Sequence, residues 1–381
     1  MATLREKFTA LGALLGGQFQ ERDQVVSGML TAALAGEHVL LLGPPGTAKS
    51  ALARAFCGGV DGSRYFEWLL SKFTAPEELF GPLSLSALKA DKYTRVTTGK
   101  LPEAEVVFLD EIFKANSGVL NSLLSAINER VFHNNGQPTA IPLRMVVGAS
   151  NELPEGPELA ALYDRFLCRY WVDYIQSPEA FLGMLRGAEA VAACCLTLQE
   201  WDQARAEVEA VGFSAAAGQS LYKLRQELAA HSISPSDRRW KRCVKLAKAQ
   251  AWLEGDTEVQ DEHLAILTSA LWNEPSQQGA VAVAVAVAAT ATSTVSEAVK
   301  IQDLLLKMVA ELPPSPSPMT KDYQDRLVTL NREGNRALSR LNDVSTKART
   351  ERQKSQVAQV QARIQQALGP VRQSAREALG L

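Results

Sequence analysis

The sequence predicts a parallel α/β sheet with helices on both faces, followed by a helical region and a further helical domain. Three observations carry this. Val39-Leu40-Leu41-Leu42 is an apolar run that ends in a glycine loop, Gly43-Pro44-Pro45-Gly46-Thr47-Ala48-Lys49-Ser50. Two more apolar runs, 106–109 and 145–150, follow at wide spacing. Helical periodicity fills the intervals, and buried strands separated by helices belong to sheets covered on both faces.

Taken in order, residues 4–35 place Leu4, Phe8, Leu11 and Leu15, then Val25, Val26, Met29, Leu30 and Leu34, at helical spacing. The strand 39–42 and its loop open a helix that begins near Ser50 and Ala51 and runs to about Gly58. Residues 80–100, with Gly81-Pro82 and Tyr93 to Gly99, read as a loop or short hairpin inserted after a helix. Asn134-Asn135-Gly136, inside 130–143, is a hairpin turn signal. Both segments read as surface loops or as hairpins that touch a partner. From about 178 to 275 the chain reads as a helical lid, with Trp201, Tyr222, Trp240, Trp252 and Trp272 as core anchors. Residues 279–294 alternate Ala and Val; the alternation says strand and the alanine content permits helix, so both readings stand. In the tail, Ile301, Leu304, Leu305, Met308 and Val309 mark one amphipathic helix, and a Pro-rich break follows at 312–318. Leu327 to Val344 mark a second helix, with Gly334 as a kink, and Val357, Val360, Ile364 and Leu368 a third. The expected domains are therefore 1–177, 178–278, a junction at 279–294, and 295–381.

Composition bounds the function. A net charge of −2 gives no global basic field for nucleic acid. The second half of the tail is basic but carries no aromatic residues for base stacking, so a solvated helical face is the reading preferred over a nucleic-acid site. Five cysteines without a CxxC pair suit a reducing compartment, and Cys194-Cys195 reads as small apolar residues rather than a redox pair. The N-terminus lacks a signal-peptide core, and no run reaches the ~18 apolar residues of a membrane span. A cytoplasmic protein is expected.

The loop at 43–50 is the build of a phosphate site. Backbone N–H groups and the positive end of a helix cradle a polyphosphate. Lys49 reaches the β- and γ-phosphates and Ser50 holds Mg²⁺. The usual pattern has Gly before the Lys; Ala48 stands there, and the turn is expected to survive. The strand 106–109 ends in Asp110-Glu111, where an Asp supports the metal and a Glu polarises the attacking water. Asn151 follows the strand 145–150 and either holds the lytic water or caps a turn. Two places offer the arginine that phosphoryl transfer uses: Tyr163-Asp164-Arg165-Phe166 and Ser236-Asp237-Arg238-Arg239-Trp240.

The order of these elements resembles the AAA+ ATPases, and the wording is closer still to the MoxR family and its RavA subgroup. The matching phrases are the loop Gly43 to Ser50, Phe108-Leu109-Asp110-Glu111-Ile112-Phe113-Lys114-Ala115-Asn116, Asn128-Glu129-Arg130, Ala149-Ser150-Asn151-Glu152 and Ser236 to Trp240. The resemblance covers roughly residues 5–275, and Ala48 is itself common in that family. It implies an α/β P-loop NTPase core with a helical lid and a C-terminal helical bundle. It implies Walker A residues Gly43, Pro44, Pro45, Gly46, Thr47, Ala48, Lys49, Ser50 and Ala51, and Walker B residues Asp110 and Glu111. Asn151 is then sensor 1, Arg165 an arginine finger given in trans, and Arg238 sensor 2, with Arg239 as the alternative. The segments 80–100 and 130–143 resemble the family's helix-2 insert and pre-sensor-1 hairpin. The ligands implied are ATP and Mg²⁺, and the assembly a nucleotide-dependent homohexamer. The implied partner is a protein with a von Willebrand factor A domain, or another protein client. RavA-like proteins interrupt the helical tail with a β-rich domain; here only the Pro-rich stretch stands at that place, so the insertion is expected to be absent.

The function expected is ATP-driven remodelling or maturation of a protein partner. The alternatives are an ATP-gated scaffold without remodelling and, less favoured, a nucleic-acid-stimulated ATPase.

Overall fold

The structure is a computed structural model, and it describes all residues except 1, 187–194, 291–293, 311, 313–319, 348–350 and 380–381. Cys194 and nearly all of the Pro-rich break therefore lie outside the described residues. The chain divides into two compact units, one of residues 1–214, 225–259 and 265–283, the other of 215–224, 260–264 and 284–381.

The first unit is built on five strands: β1 (Val39–Leu42), β2 (Tyr65–Leu69), β3 (Val106–Asp110), β4 (Met145–Ser150) and β5 (Cys168–Trp171). They lie in the order β2-β3-β4-β1-β5, and every pairing is parallel. The three strands legible in the sequence are the central ones. Their side chains are buried on both faces, which is why they read as unbroken apolar runs.

The edge strands were not foreseen, and each carries a charge that hides it. In β2, Glu67 points out to Arg54 at 2.6 Å. In β5, Arg169 is 1% exposed. Its guanidinium donates to the carbonyls of Trp272, Tyr163 and Phe166 and stacks 3.6 Å from the centroid of the Tyr163 ring. A buried arginine is tolerable only with its donors matched in this way.

Helices Leu4–Gln18 and Asp23–Ala35 cover the sheet with the predicted apolar face. Helix Leu198–Ala210 joins the same layer through Trp201, whose Nε1 donates to Ala33 O at 3.1 Å and whose ring meets Phe56 edge-on. Trp240, Trp252 and Trp272 are buried as expected, but Tyr222 is exposed. It lies off the helical face that buries Ala217, Leu224 and Leu228, so its size did not decide its burial.

The predicted hairpin forms from Val131–Asn134 and Gln137–Ala140, with Asn135 and Gly136 both at positive φ, a type I′ turn. Residues 80–100 contain a short helix, Leu85–Leu88, and one bridge, Leu83 to Arg95. The two insertions clasp each other. Asn135 Oδ1 accepts from Tyr93 N, Asn135 N donates to Tyr93 O, and Asn134 Oδ1 accepts from Arg95 N at 2.7 Å. Phe80 and Phe132 stack beneath, with centroids 5.3 Å apart.

The Ala-Val stretch is a helix, Gln278–Thr290. The second unit is dominated by helices Thr294–Ala310, Lys321–Lys347 and Glu351–Leu379, whose predicted apolar positions form one core except Leu304, which is exposed because it lies off the face that buries Ile301 and Leu305. The helix Lys321–Lys347 runs unbroken through Gly334. That glycine admits Leu368, which a Cβ there would meet at 2.6 Å. Among the described residues no helix is long and apolar enough to cross a membrane.

Candidate functional site

Parallel pairing brings the ends of β3, β4 and β1 to one edge. Leu42 pairs with Ser150, and Leu109 with Gly148, so Gly43, Asp110, Glu111 and Asn151 all follow at the C-terminal edge. Gly43 N donates to Ser150 O at 3.1 Å, which ties the loop to the next strand.

The loop depends on backbone freedom. Gly43 lies at φ 138, and a Cβ there would stand 2.2 Å from Val172 O. Ala48 takes φ 63 and ψ 24 directly before helix Lys49–Gly58. The turn expected of a glycine is thus kept by alanine, at a left-handed cost of about 1 kcal/mol. Thr47 is buried and its hydroxyl donates to Pro44 O. Lys49 Nζ donates to the carbonyls of Gly43 and Pro44, each at 2.8 Å. Burial holds the Lys49 ammonium below the ordinary lysine range, opposed by the Asp110 and Glu111 carboxylates. The lysine is therefore half-sheltered, close to two acids, and presented over the loop. Ser50 is the next residue, half-buried, and Ala51 is exposed on the first turn.

Glu111 is also at positive φ, 52°. Strained residues of this kind persist where surrounding structure holds them, and they gather at functional sites. Lys114 Nζ stands 3.3 Å from Glu111 Oε2, yet that oxygen is buried without an aligned hydrogen bond. Asn151 is exposed just past β4, beside the loop.

Sequence reasoning missed Arg22. It is 9% exposed, donates to Asp173 O at 2.6 Å, and its charge acts on Lys49. It precedes helix Asp23–Ala35 without any motif, so no local signal pointed to it.

The two predicted arginine segments lie elsewhere. Helix Pro157–Arg165 leads back to the N-terminal edge, where Phe166 and Leu167 precede β5. Helix Asp237–Glu254 begins at that same edge. Arg239 is 2% exposed and donates to the carbonyls of Ala270, Phe166 and Leu167 and to Asp164 Oδ1. Arg239 is thereby bound into the core around the start of β5. Arg242 donates to Arg165 O at 2.7 Å and pairs with Glu37, two residues before β1. Arg238 is exposed and reaches Asn128 Oδ1 at 3.4 Å. Arg165 Nε and Nη1 have no hydrogen-bond partner. Neither Arg165 nor Arg238 shares an edge with Lys49. The four residues of β1, at ~3.3 Å each, separate the edges by roughly 13 Å.

A sequence family described as the MoxR domain in the MoxR-vWA-beta-propeller ternary systems matches residues 6–200. Another, described as an AAA lid domain, matches residues 218–285. An uncharacterized protein of Methanocaldococcus jannaschii is 41% identical over 276 residues, 72% of each chain. A second from the same organism is 42% identical over 265 residues, 69% of this chain and 70% of its own. A solved structure from Cytophaga hutchinsonii, described as a proposed ATPase, matches with a TM-score of 0.59 at 17% identity. It covers 72% of this chain and 90% of that one, a likeness of fold.

Proposed function

The chain belongs to the MoxR family of AAA+ proteins, and from that membership we propose that it is a ring-forming ATP hydrolase that remodels or matures a protein partner. The observation that carries the reading is the division of charge between two edges. Lys49, Asp110, Glu111 and Asn151 gather at one edge, and Arg165 is held at the other.

The C-terminal edge suits a nucleotide triphosphate. Loop amides and Lys49 would bind the β- and γ-phosphates. Ser50 and Asp110 would hold Mg²⁺, which when bound neutralises charge on the phosphate oxygens. Glu111 orients the attacking water and takes its proton, and Asn151 fixes the position of that water. Transfer of the γ-phosphoryl group needs positive charge facing its equatorial oxygens, and Arg22 is an arginine whose charge acts on Lys49. Arg165, about a strand length away from its own loop, serves the loop of a neighbouring subunit. The same argument gives Arg238 to a neighbour's site rather than to its own lid. A residue donated head-to-tail in this way implies a closed ring, taken here as a hexamer.

The partner is proposed from the family's description, in which the MoxR domain works beside a vWA protein. The motif wording supports a RavA-like member, and the clasped insertions offer a protruding surface for a client.

The test is ATPase rate per subunit against protein concentration, for wild type and Arg165→Ala, with sizing of the same samples. The expected result is a specific rate that rises with concentration and falls about 10³-fold in the variant. A monomer with a flat rate, indifferent to Arg165, would end the ring reading.

A further inference from the structure

A group of arginines at the N-terminal edge has more donors than the protein supplies acceptors for. Two of them meet at Gly36, the residue that ends helix Asp23–Ala35, and the charge of a third, Arg144, acts on both. Arg130 Nη2 donates to Gly36 O at 2.9 Å. The Arg205 guanidinium lies over the same residue, so closely that a Cβ on Gly36 would stand 2.2 Å from its Nη2. Arg144 arrives from the start of β4. Its guanidinium sits 5.5 Å from the centroid of the Trp201 ring, one turn before Arg205 on the same helix face.

The acids nearby do not balance these charges. Glu37 is bound by Arg242. Asp202 is bound by Arg144, and its side chain is 59% exposed. Glu209 acts on Arg205 only as a charge, and His38, buried beside them, is neutral. Four guanidiniums thus face three carboxylates. Nε of Arg130 and Nε of Arg144 are buried without any acceptor. Burial holds both Arg130 and Arg205 below the ordinary arginine range, and the neighbouring guanidiniums add to it.

We propose that Arg130, Arg144 and Arg205 form a receptor for a phosphate-type oxyanion, separate from the nucleotide loop and on the opposite edge of the sheet. A tetrahedral oxyanion offers four oxygens to donors that converge from different elements, whereas a carboxylate offers two in one plane. Planar guanidinium forks match phosphate oxygens in pairs. The ligand is free phosphate or the phosphate end of a nucleotide. Its occupation bears on the hairpin as well. Arg130 is the left-handed cap of helix Ser117–Glu129, at φ 53, and its carbonyl accepts from Ile141 N at the foot of the hairpin.

The experiment uses the full chain carrying Lys49→Ala, so that the nucleotide loop loses its phosphate-binding lysine. Inorganic phosphate and then ADP are titrated at constant ionic strength by calorimetry and by thermal midpoint. The expected result is saturable phosphate binding and a rise of ~2 °C at ten times the dissociation constant. Adding Arg205→Gln weakens binding at least tenfold; Arg205→Lys falls between. Arg144→Gln repeats the test at a residue on a different element, should Arg205→Gln fail to fold. Tighter binding of ADP than of phosphate assigns the site to a nucleotide; binding of phosphate alone assigns it to the free ion. No saturable phosphate binding, or equal affinity in the glutamine variants, overturns the proposal.

Discussion

At the C-terminal edge of the sheet, loops set Lys49 against Asp110 and Glu111, and two side-chain-bearing residues there, Ala48 and Glu111, hold left-handed backbone. At the N-terminal edge, arginines lock the backbone instead. Arg239 and Arg242 together hold the carbonyls of Asp164, Arg165, Phe166, Leu167 and Ala270. One edge places its charged groups on strained backbone; at the other, Arg239 and Arg242 brace the backbone around the start of β5. The difference teaches that a lone arginine in a motif says little until its hydrogen bonds are counted. Arg238 and Arg239 are adjacent in sequence, yet one is exposed and the other is part of the core.

This contrast is open to direct attack. The largest effect belongs to Glu111→Gln, which should lower turnover by about 10²–10⁴ while ATP binding and the unfolding midpoint stay near wild type. Retained turnover would remove Glu111 from its role at the reacting water. Arg239→Met should do the reverse. It strands buried carbonyls and breaks the Asp164 pair, at a cost of about 3–5 kcal/mol measured by urea denaturation. A variant with unchanged stability and lost turnover would place Arg239 in the chemistry and erase the distinction between the edges.

The smallest effect sharpens the comparison through pH. His38 is fully buried between the helix that follows Glu111 and the start of β4, accepting from Val146 N and facing Ile127 O. Burial, with Arg130 adding to it, pulls its pKa down to about 3. The folded state therefore binds this proton less readily than the unfolded chain, whose histidine titrates near 6.5. The associated stability is complete above pH 6.5 and declines as pH falls toward 3, by about 2 kcal/mol at pH 5. Urea midpoints from pH 5 to 8 should show this slope in wild type and lose it in His38→Asn. An unchanged slope would locate the acid sensitivity in other groups.

The sequence was most informative where burial and backbone geometry left one solution. The central strands, the loop at Gly43 and the Asn135-Gly136 turn are of that kind. Legibility failed where a polar residue was satisfied at long range. Arg169 disguised β5 because its partners lie as far away as Trp272 and Asn273. Arg22 comes close enough for its charge to act on Lys49 while the chain after β5 folds beside it. The Ala-Val stretch was ambiguous for a different reason. Strict alternation is a strand signal, but alanine at every second place costs a helix nothing, and helix Gln278–Thr290 is the outcome.

The clasp between the two insertions has a consequence for how such chains can vary. The hydrogen bonds from Asn134 and Asn135 fix the register of one insertion against the other. A single residue gained or lost between Gly81 and Tyr93 would slide the strand-like segment by ~3.3 Å and leave both asparagines facing the wrong backbone groups. The two insertions are thus one inheritable part. A graft that moves residues 80–100 into a relative must carry 130–143 with it.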